Sequence, residues 1–144
     1  MDSALDIESF IPHRERMKLI DGILKISEEE TITTAKVSES WPLYQKTSDS
    51  VEAIILIEIL AQTAAVHIGR KPEDRKEYRR GWLVGIKNAD FFQDRIPVNT
   101  ILTATVKNLY EIDFYTVIEG EVRAGKEPLC RLQIQVLREG DHKE

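Results

Sequence analysis

One apolar stretch, residues 51–69 with the sequence VEAIILIEILAQTAAVHIG, places the strongest constraint on the fold. Its length and composition predict one long helix that is hydrophobic almost all the way round, so it must be covered on most of its sides. Asp49 and Glu52 have the spacing of a capping box at its start, and Gly69 with Pro72 marks its end. A chain of this kind needs a second layer that wraps around the helix.

A single carboxylate, Glu58, stands in the middle of the predicted helix. An unpaired carboxylate is costly to bury, so Glu58 has either a structural partner, such as backbone amides or an arginine from another subunit, or a role as a general acid or base. Helical spacing places Ile54, Ala61, Gln62 and Ala65 on its face. Gln62 lies one turn on, within reach of a hydrogen bond to Glu58, and the two alanines leave room for a ligand chain or another backbone.

The segments on both sides of the helix show the pattern of strands. Residues 17–38 read as two strands around a polar turn, and strand patterns follow one another from residue 81 to residue 139. In the last of these, Cys130, Leu132, Ile134 and Val136 face one way, while Arg131, Gln133 and Gln135 face the other. This alternation predicts an antiparallel sheet with one covered face. About six such strands and one helix indicate an α+β domain in which a curved sheet wraps a central helix, the arrangement of the hot-dog fold.

Size and composition indicate one soluble domain over residues 1–144, with a core from about 7 to 138. The chain has 144 residues, of which 42% are hydrophobic and 31% are charged. Its net charge of −5 argues against a nucleic-acid partner. A single cysteine excludes an internal disulfide and suits a reducing compartment, and the polar residues within 51–69 argue against a membrane span. We therefore expect a cytoplasmic protein whose start carries no signal peptide.

The remaining reactive side chains show no metal or cofactor pattern. His13, His67 and His142 are far apart, Cys130 lies at a core-facing position, and no glycine-rich phosphate loop is present. We expect no metal and no cofactor. His67 is interpreted as a polar group at the helix end that can interact with the last carbonyls, and Cys130 as a small core residue.

Three motifs carry a resemblance to a known family. IPHRERMKLIDGIL, residues 11–24, is similar to the opening of the β-hydroxyacyl-acyl-carrier-protein dehydratases of fatty acid synthesis. LIEILAQTAA, residues 56–65, resembles their central-helix motif Glu-x-x-Ala-Gln, and WLVGIKNADFFQDRIPVNTIL, residues 82–102, resembles the strands that follow. The likeness covers residues 7–138. It implies a hot-dog fold, a homodimer or higher oligomer, and a 3-hydroxyacyl thioester substrate carried by an acyl carrier protein or by coenzyme A.

The resemblance also implies site residues. A glutamate and a histidine do the chemistry in that family, and Glu58 matches the glutamate. The histidine belongs to a Gly-His-Phe-Pro segment, where this chain has LYQKTSDSVEA, with Tyr44 at the corresponding position by count. Glu58 and His13 are the resulting catalytic candidates. Tyr44 is a poorer base, because a phenol has a pKa of about 10.

The family likeness extends to binding residues and a carrier surface. The residues implied to bind substrate are Tyr44, Ile54, Ala61, Gln62, Gly85 and Phe91. Trp82, Phe91 and Phe92 either pack in the sheet core or line an acyl tunnel. The basic segment Arg70–Arg80 either contacts an acidic carrier protein or is a solvated connector.

Three functions stay open at this point. The first is a dehydratase with Glu58 and His13. The second is a non-catalytic acyl-binding or partner subunit of a complete dehydratase. This function suits the chain's resemblance to a divergent dehydratase-like branch whose genes lie with those of aryl-polyene pathways. The third is a hot-dog thioesterase that uses a lone carboxylate.

Overall fold

The computed structural model describes residue 7 and residues 17–70, 81–113 and 115–138. Nine strands and one helix run through these residues. In chain order they are β1 (Gly22–Ile26), β2 (Glu30–Lys36), β3 (Tyr44–Gln45), β4 (Ser50–Glu52), α1 (Ile55–Ile68), β5 (Gly81–Phe91), β6 (Arg95–Pro97), β7 (Ile101–Ile112), β8 (Tyr115–Ala124) and β9 (Glu127–Arg138). Within this part of the chain, no helix is long and apolar enough to cross a membrane.

Six of the strands form one antiparallel sheet in the order β1-β2-β7-β8-β9-β5. The helix packs on its inner face, chiefly against β2, β7 and β8. The predicted alternation in the last strand is confirmed: Cys130, Leu132, Ile134 and Val136 are buried, and the residues between them are not. The α+β hot-dog prediction is therefore confirmed, because one face of the sheet supplies the apolar cover that the helix needs.

A second, three-stranded sheet in the order β3-β4-β6 was not predicted. Its strand β4 contains Val51 and Glu52, which were predicted to belong to the helix. Val51 of β4 pairs with Ile96 of β6, and both side chains are buried. Val51 therefore contributes to the core as a strand residue, which suits its branched β-carbon.

The predicted helix start is accordingly wrong. The helix begins at Ile55, and Ile54 caps it with no side-chain hydrogen bond. Asp49 adopts a positive φ of 51° and accepts a hydrogen bond from the Tyr44 hydroxyl at 2.6 Å. Glu52 is paired with Arg95 in the small sheet, and the Asp49 side chain bonds Tyr44, so the capping box does not form. The predicted end at Gly69 is confirmed.

Hydroxyl groups line the contact between α1 and β2. The Thr33 and Thr63 hydroxyls are 2.8 Å apart, and Thr63 also donates to the Ile59 carbonyl at 2.8 Å. One turn on, the Thr31 hydroxyl lies 2.7 Å from Nδ1 of His67. Residues four apart on the helix thus meet residues two apart on the strand, and these bonds set the register of helix on sheet.

His67 is fully buried, and the expectation that it would interact with the last helix carbonyls is wrong. Its imidazole bonds Thr31, and the Arg70 guanidinium donates to the His67 carbonyl instead. Burial, together with the nearby Arg70 charge, lowers the pKa of His67 to about 4, against smaller opposing effects of Asn108 and Glu111 on β7. The folded protein therefore holds this imidazole neutral at physiological pH.

Acid should destabilise the protein through His67. Its pKa is depressed in the folded state relative to the ordinary 6.5 of the unfolded chain, so the stability it contributes is complete above pH 6.5 and is lost as the pH falls towards 4. His67→Asn keeps a polar atom near Thr31 but does not titrate. Between pH 7.5 and pH 5 we expect wild type to lose about 2 kcal/mol more unfolding free energy than the variant. Urea unfolding at the two pH values measures this, and equal losses would contradict it.

Gly120 of β8 packs closely against the Leu60 side chain of the helix. A β-carbon at this position would lie 3.0 Å and 3.1 Å from the two terminal methyl groups of Leu60, which is fully buried. Gly120→Ala should therefore lower the unfolding free energy by about 1–2 kcal/mol. Gly85→Ala is the matched control, because its β-carbon meets only the flexible Gln135 side chain. Urea unfolding that ranks the two variants equally would count against this prediction.

Candidate functional site

Glu58 lies in the first turn of α1, on the least covered strip of the helix. Ile54, one turn earlier, is 55% exposed, and Glu58, Ala61 and Ala65 are half-buried. We call these four residues the open strip. The residues facing the sheet are buried, including Leu56, Ile59, Leu60, Thr63 and Val66. The face predicted to receive a ligand chain or a second backbone is thus the one that this chain leaves partly open.

Gln62 holds Glu58 in place. Its Nε2 donates to Oε2 of Glu58 at 3.2 Å and to the Met17 carbonyl at 2.6 Å. Its Oε1 accepts from the backbone N–H groups of Leu19 at 3.0 Å and Ile20 at 3.4 Å. The predicted hydrogen bond between Gln62 and Glu58 is present, and the same amide also binds the segment that leads into β1.

Two backbone N–H groups at the start of α1 are hydrogen-bonded to carbonyl groups just before them in the chain. The N–H of Leu56 donates to the Ala53 carbonyl at 2.9 Å, and that of Ile57 donates to the Ile54 carbonyl at 3.1 Å. These two groups are therefore engaged within the chain.

His13 lies outside the described residues, so its side chain cannot be placed relative to Glu58. The chain that follows it can be placed from Met17 onward. Met17, Leu19 and Ile20 are bound to Gln62, which in turn contacts Glu58. Met17, four residues after His13 in the sequence, is therefore connected to the Glu58 carboxylate through Gln62.

Tyr44 lies on β3 in the small sheet, and its hydroxyl donates to Oδ1 of Asp49. This hydrogen bond, with burial and the Asp49 charge, raises the pKa of Tyr44 to about 12. With its pKa raised in this way, the phenol supplies even less phenolate at neutral pH than an ordinary tyrosine does. Its position by sequence count therefore does not give it the family histidine's chemistry.

Gly85 and the two phenylalanines lie on β5 or just after it. The missing side chain of Gly85 leaves space that the Gln135 amide of β9 fills, on the sheet face away from the helix. Phe91 is 36% exposed and Phe92 is 46% exposed, so neither packs in the core. The Arg131 guanidinium lies over the Phe92 ring at 5.7 Å from its centre. Substrate contacts for Gly85 and Phe91 stay predictions, and the side chain of Trp82 lies outside the described set.

Arg70 is the one described member of the basic segment, residues 71–80 lying outside the described residues. Its guanidinium donates to the His67 carbonyl and lies 3.9 Å from Glu28. Arg70 therefore satisfies a carbonyl group at the C-terminal end of the helix. To bind an acyl carrier protein, its guanidinium would have to give up these interactions.

Cys130 is fully buried on β9, and burial raises the pKa of its thiol to about 12. A buried thiol that stays protonated is a poor nucleophile and a poor metal ligand. Among the described residues, no group of three or more histidine, cysteine, aspartate and glutamate side chains is placed to hold a metal ion.

Sequence reasoning missed two features of this region. The first is the bond of Gln62 to backbone 42 to 45 residues away, because an amide's long-range partners leave no local pattern. The second is the bond between Tyr44 and Asp49, five residues apart, for which the only signal was a tyrosine and an acidic residue flanking a polar turn.

Known dehydratases are similar to this chain in sequence. A family model described as ApeP-like, ApeP dehydratase, matches residues 5–144. The chain is 30% identical over 142 residues to the 3-hydroxyacyl-[acyl-carrier-protein] dehydratase FabZ of Polynucleobacter asymbioticus, covering 90% of this chain and 94% of that protein. It is 25% identical over 128 residues to FabZ of Rickettsia massiliae, covering 83% and 88% respectively.

Solved structures show the same fold. The dehydratase heterocomplex ApeI:P from Xenorhabdus doucetiae contains a chain with a TM-score of 0.81 and 19% identity, covering 95% of this chain and 93% of that one. A hypothetical thioesterase with coenzyme A from Streptococcus pneumoniae has a TM-score of 0.66 and 11% identity, covering 84% and 87%. At these identities the structures establish the hot-dog fold alone. The family match spans almost the whole sequence and confirms the resemblance carried by the three motifs, so the chain belongs to the ApeP-like dehydratase family.

Proposed function

We propose that this protein removes water from a 3-hydroxyacyl thioester carried by an acyl carrier protein, with Glu58 as the catalytic acid. The observation that carries the proposal is the placement of Glu58. The motif Glu-x-x-Ala-Gln matches Glu58 to the family glutamate in sequence. Its carboxyl group accepts a hydrogen bond from the Gln62 amide and lies on the open strip of the helix. Its relatives named as 3-hydroxyacyl-carrier dehydratases support the choice of substrate.

The reaction needs two proton transfers. A base removes a proton from C2, and the electron pair of that C–H bond forms the new double bond as the C3–O bond breaks. An acid protonates the departing hydroxyl, which leaves as water. We assign the acid role to Glu58 and the base role to His13, since Tyr44 is held by Asp49 with a raised pKa.

We further propose that a second hot-dog subunit covers the open strip. Ile54 is 55% exposed next to Glu58, which is unfavourable for an apolar side chain at a site that must exclude water. Among the described residues, the 11-residue strand β5 is the last strand of the main sheet on one side, where a partner strand can extend the sheet. The partner is a second copy or a homologous dehydratase, and the structural relative described as a dehydratase heterocomplex supports the latter.

Glu58→Gln should abolish most of the dehydration. The amide can still accept the hydrogen bond from Gln62, so the fold is preserved, but it cannot give up a proton at neutral pH. We expect kcat/KM to fall by about 10²–10⁴-fold. Mass spectrometry of a 3-hydroxyacyl carrier protein, monitored for loss of water with the protein alone and with a homologous dehydratase, measures this.

Other outcomes of that assay would overturn the proposal. Equal dehydration by wild type and Glu58→Gln would remove Glu58 from the mechanism. Release of free thiol without loss of water, from carrier or coenzyme A substrates, would indicate a thioesterase. Retention of the acyl chain without turnover under every condition would indicate a binding subunit.

Tyr44→Phe provides a contrasting prediction. It removes the hydroxyl that donates to Asp49 but leaves the ring in place. Because the phenol is not the base, we expect kcat/KM to stay within about twofold of wild type, and the exposed position of the bond implies little change in the thermal midpoint. A loss of activity comparable to that of Glu58→Gln, measured in the same assay, would show that Tyr44 takes part in the chemistry.

A further inference from the structure

Gln62 was expected to contact substrate, but its side chain is 0% exposed. Both N–H groups of its amide donate, to Glu58 and to the Met17 carbonyl. Its oxygen accepts from Leu19 and Ile20. The hydrogen-bonding capacity of a primary amide is two donors and two acceptor positions, so Gln62 has none left for a ligand.

We propose that Gln62 is a positioning residue that fixes Glu58 relative to the chain leading into β1. The inference rests on the proposed function for its catalytic consequence, but its structural part stands separately. One amide joins the carboxylate of the helix to three backbone groups of residues 17–20. His13, the proposed base, precedes Met17 by four residues in the sequence.

Only glutamine satisfies this arrangement. Glutamate in its place retains the acceptors for Leu19 and Ile20 but loses both donors and brings a second carboxylate against Glu58. Methionine has nearly the same length and loses all four bonds. Asparagine is one methylene shorter and cannot span the same gap. With methionine or asparagine, the buried N–H groups of Leu19 and Ile20 would lack partners, which is costly in the interior.

Two variants and a matched control separate positioning from structural support. Gln62→Met removes every bond, and Gln62→Glu removes only the donors. Gln45→Glu is the control, because Gln45 also donates its amide to a glutamate, Glu52, at 3.0 Å, but in the small sheet. Hydrogen exchange followed by NMR reports the N–H groups of Leu19 and Ile20. Dehydration kinetics over a range of pH report the effect on Glu58.

In Gln62→Met we expect the Leu19 and Ile20 amides to exchange about tenfold faster, while the Asp21 amide, which donates to the Thr34 carbonyl, changes little. In Gln62→Glu those two amides should keep their protection. Its kcat should fall about tenfold or more at pH 8 with KM within about threefold, and should recover as the pH is lowered, because a proton shared between the two carboxyl groups restores the missing donor. Gln45→Glu should show neither effect.

Unchanged exchange of Leu19 and Ile20 in Gln62→Met would overturn the inference. A pH profile of Gln62→Glu that parallels wild type would also overturn it. If wild type itself has no dehydratase activity, the ¹³C signal of the Glu58 carboxyl group decides the matter. That signal must shift in Gln62→Glu and stay unchanged in Gln45→Glu, and an unmoved signal in both would refute the coupling.

Discussion

The structure depends on burying a helix that carries polar side chains. The apolar residues of α1 alone would let the helix slide or rotate against the sheet, because hydrophobic contact has no direction. The hydroxyl pair Thr33 and Thr63 and the pair Thr31 and His67 remove that freedom. Each of these two hydrogen bonds forms in one arrangement of the helix on the sheet and would be lost in another. The position of Glu58 is therefore a consequence of how the opposite face of the same helix is anchored.

The sequence predicted the parts of the fold that depend on periodicity. Alternation along β9 and the long apolar run of α1 indicated a sheet wrapped around a helix, and both are present. The small sheet was not predicted, because its strands have only two or three residues each. Such short strands cannot show the alternation of buried and exposed residues. Val51 and Ile96 meet across 45 positions, and that tertiary pairing overrides the helical preference of the local sequence.

In the candidate site, too, only contacts between residues close in sequence could be predicted. The bond between Glu58 and Gln62 spans one helical turn, so geometry on a single element was enough to anticipate it. The exposed positions of Phe91 and Phe92 could not be anticipated, because apolar composition does not say which side of an edge strand a ring takes. The same is true of Gln62, whose burial depends on backbone groups far away in the chain.

The state of Cys130 has a practical consequence for experiments on this protein. Its thiol is the only one in the chain, is inaccessible to solvent, and is protonated at neutral pH. Maleimide and iodoacetamide reagents, which attack an accessible thiolate, should leave it unmodified while the fold is intact. A cysteine introduced on the surface can therefore carry a fluorophore or spin label in the natural background, and labelling of the parent protein becomes a direct reporter of unfolding.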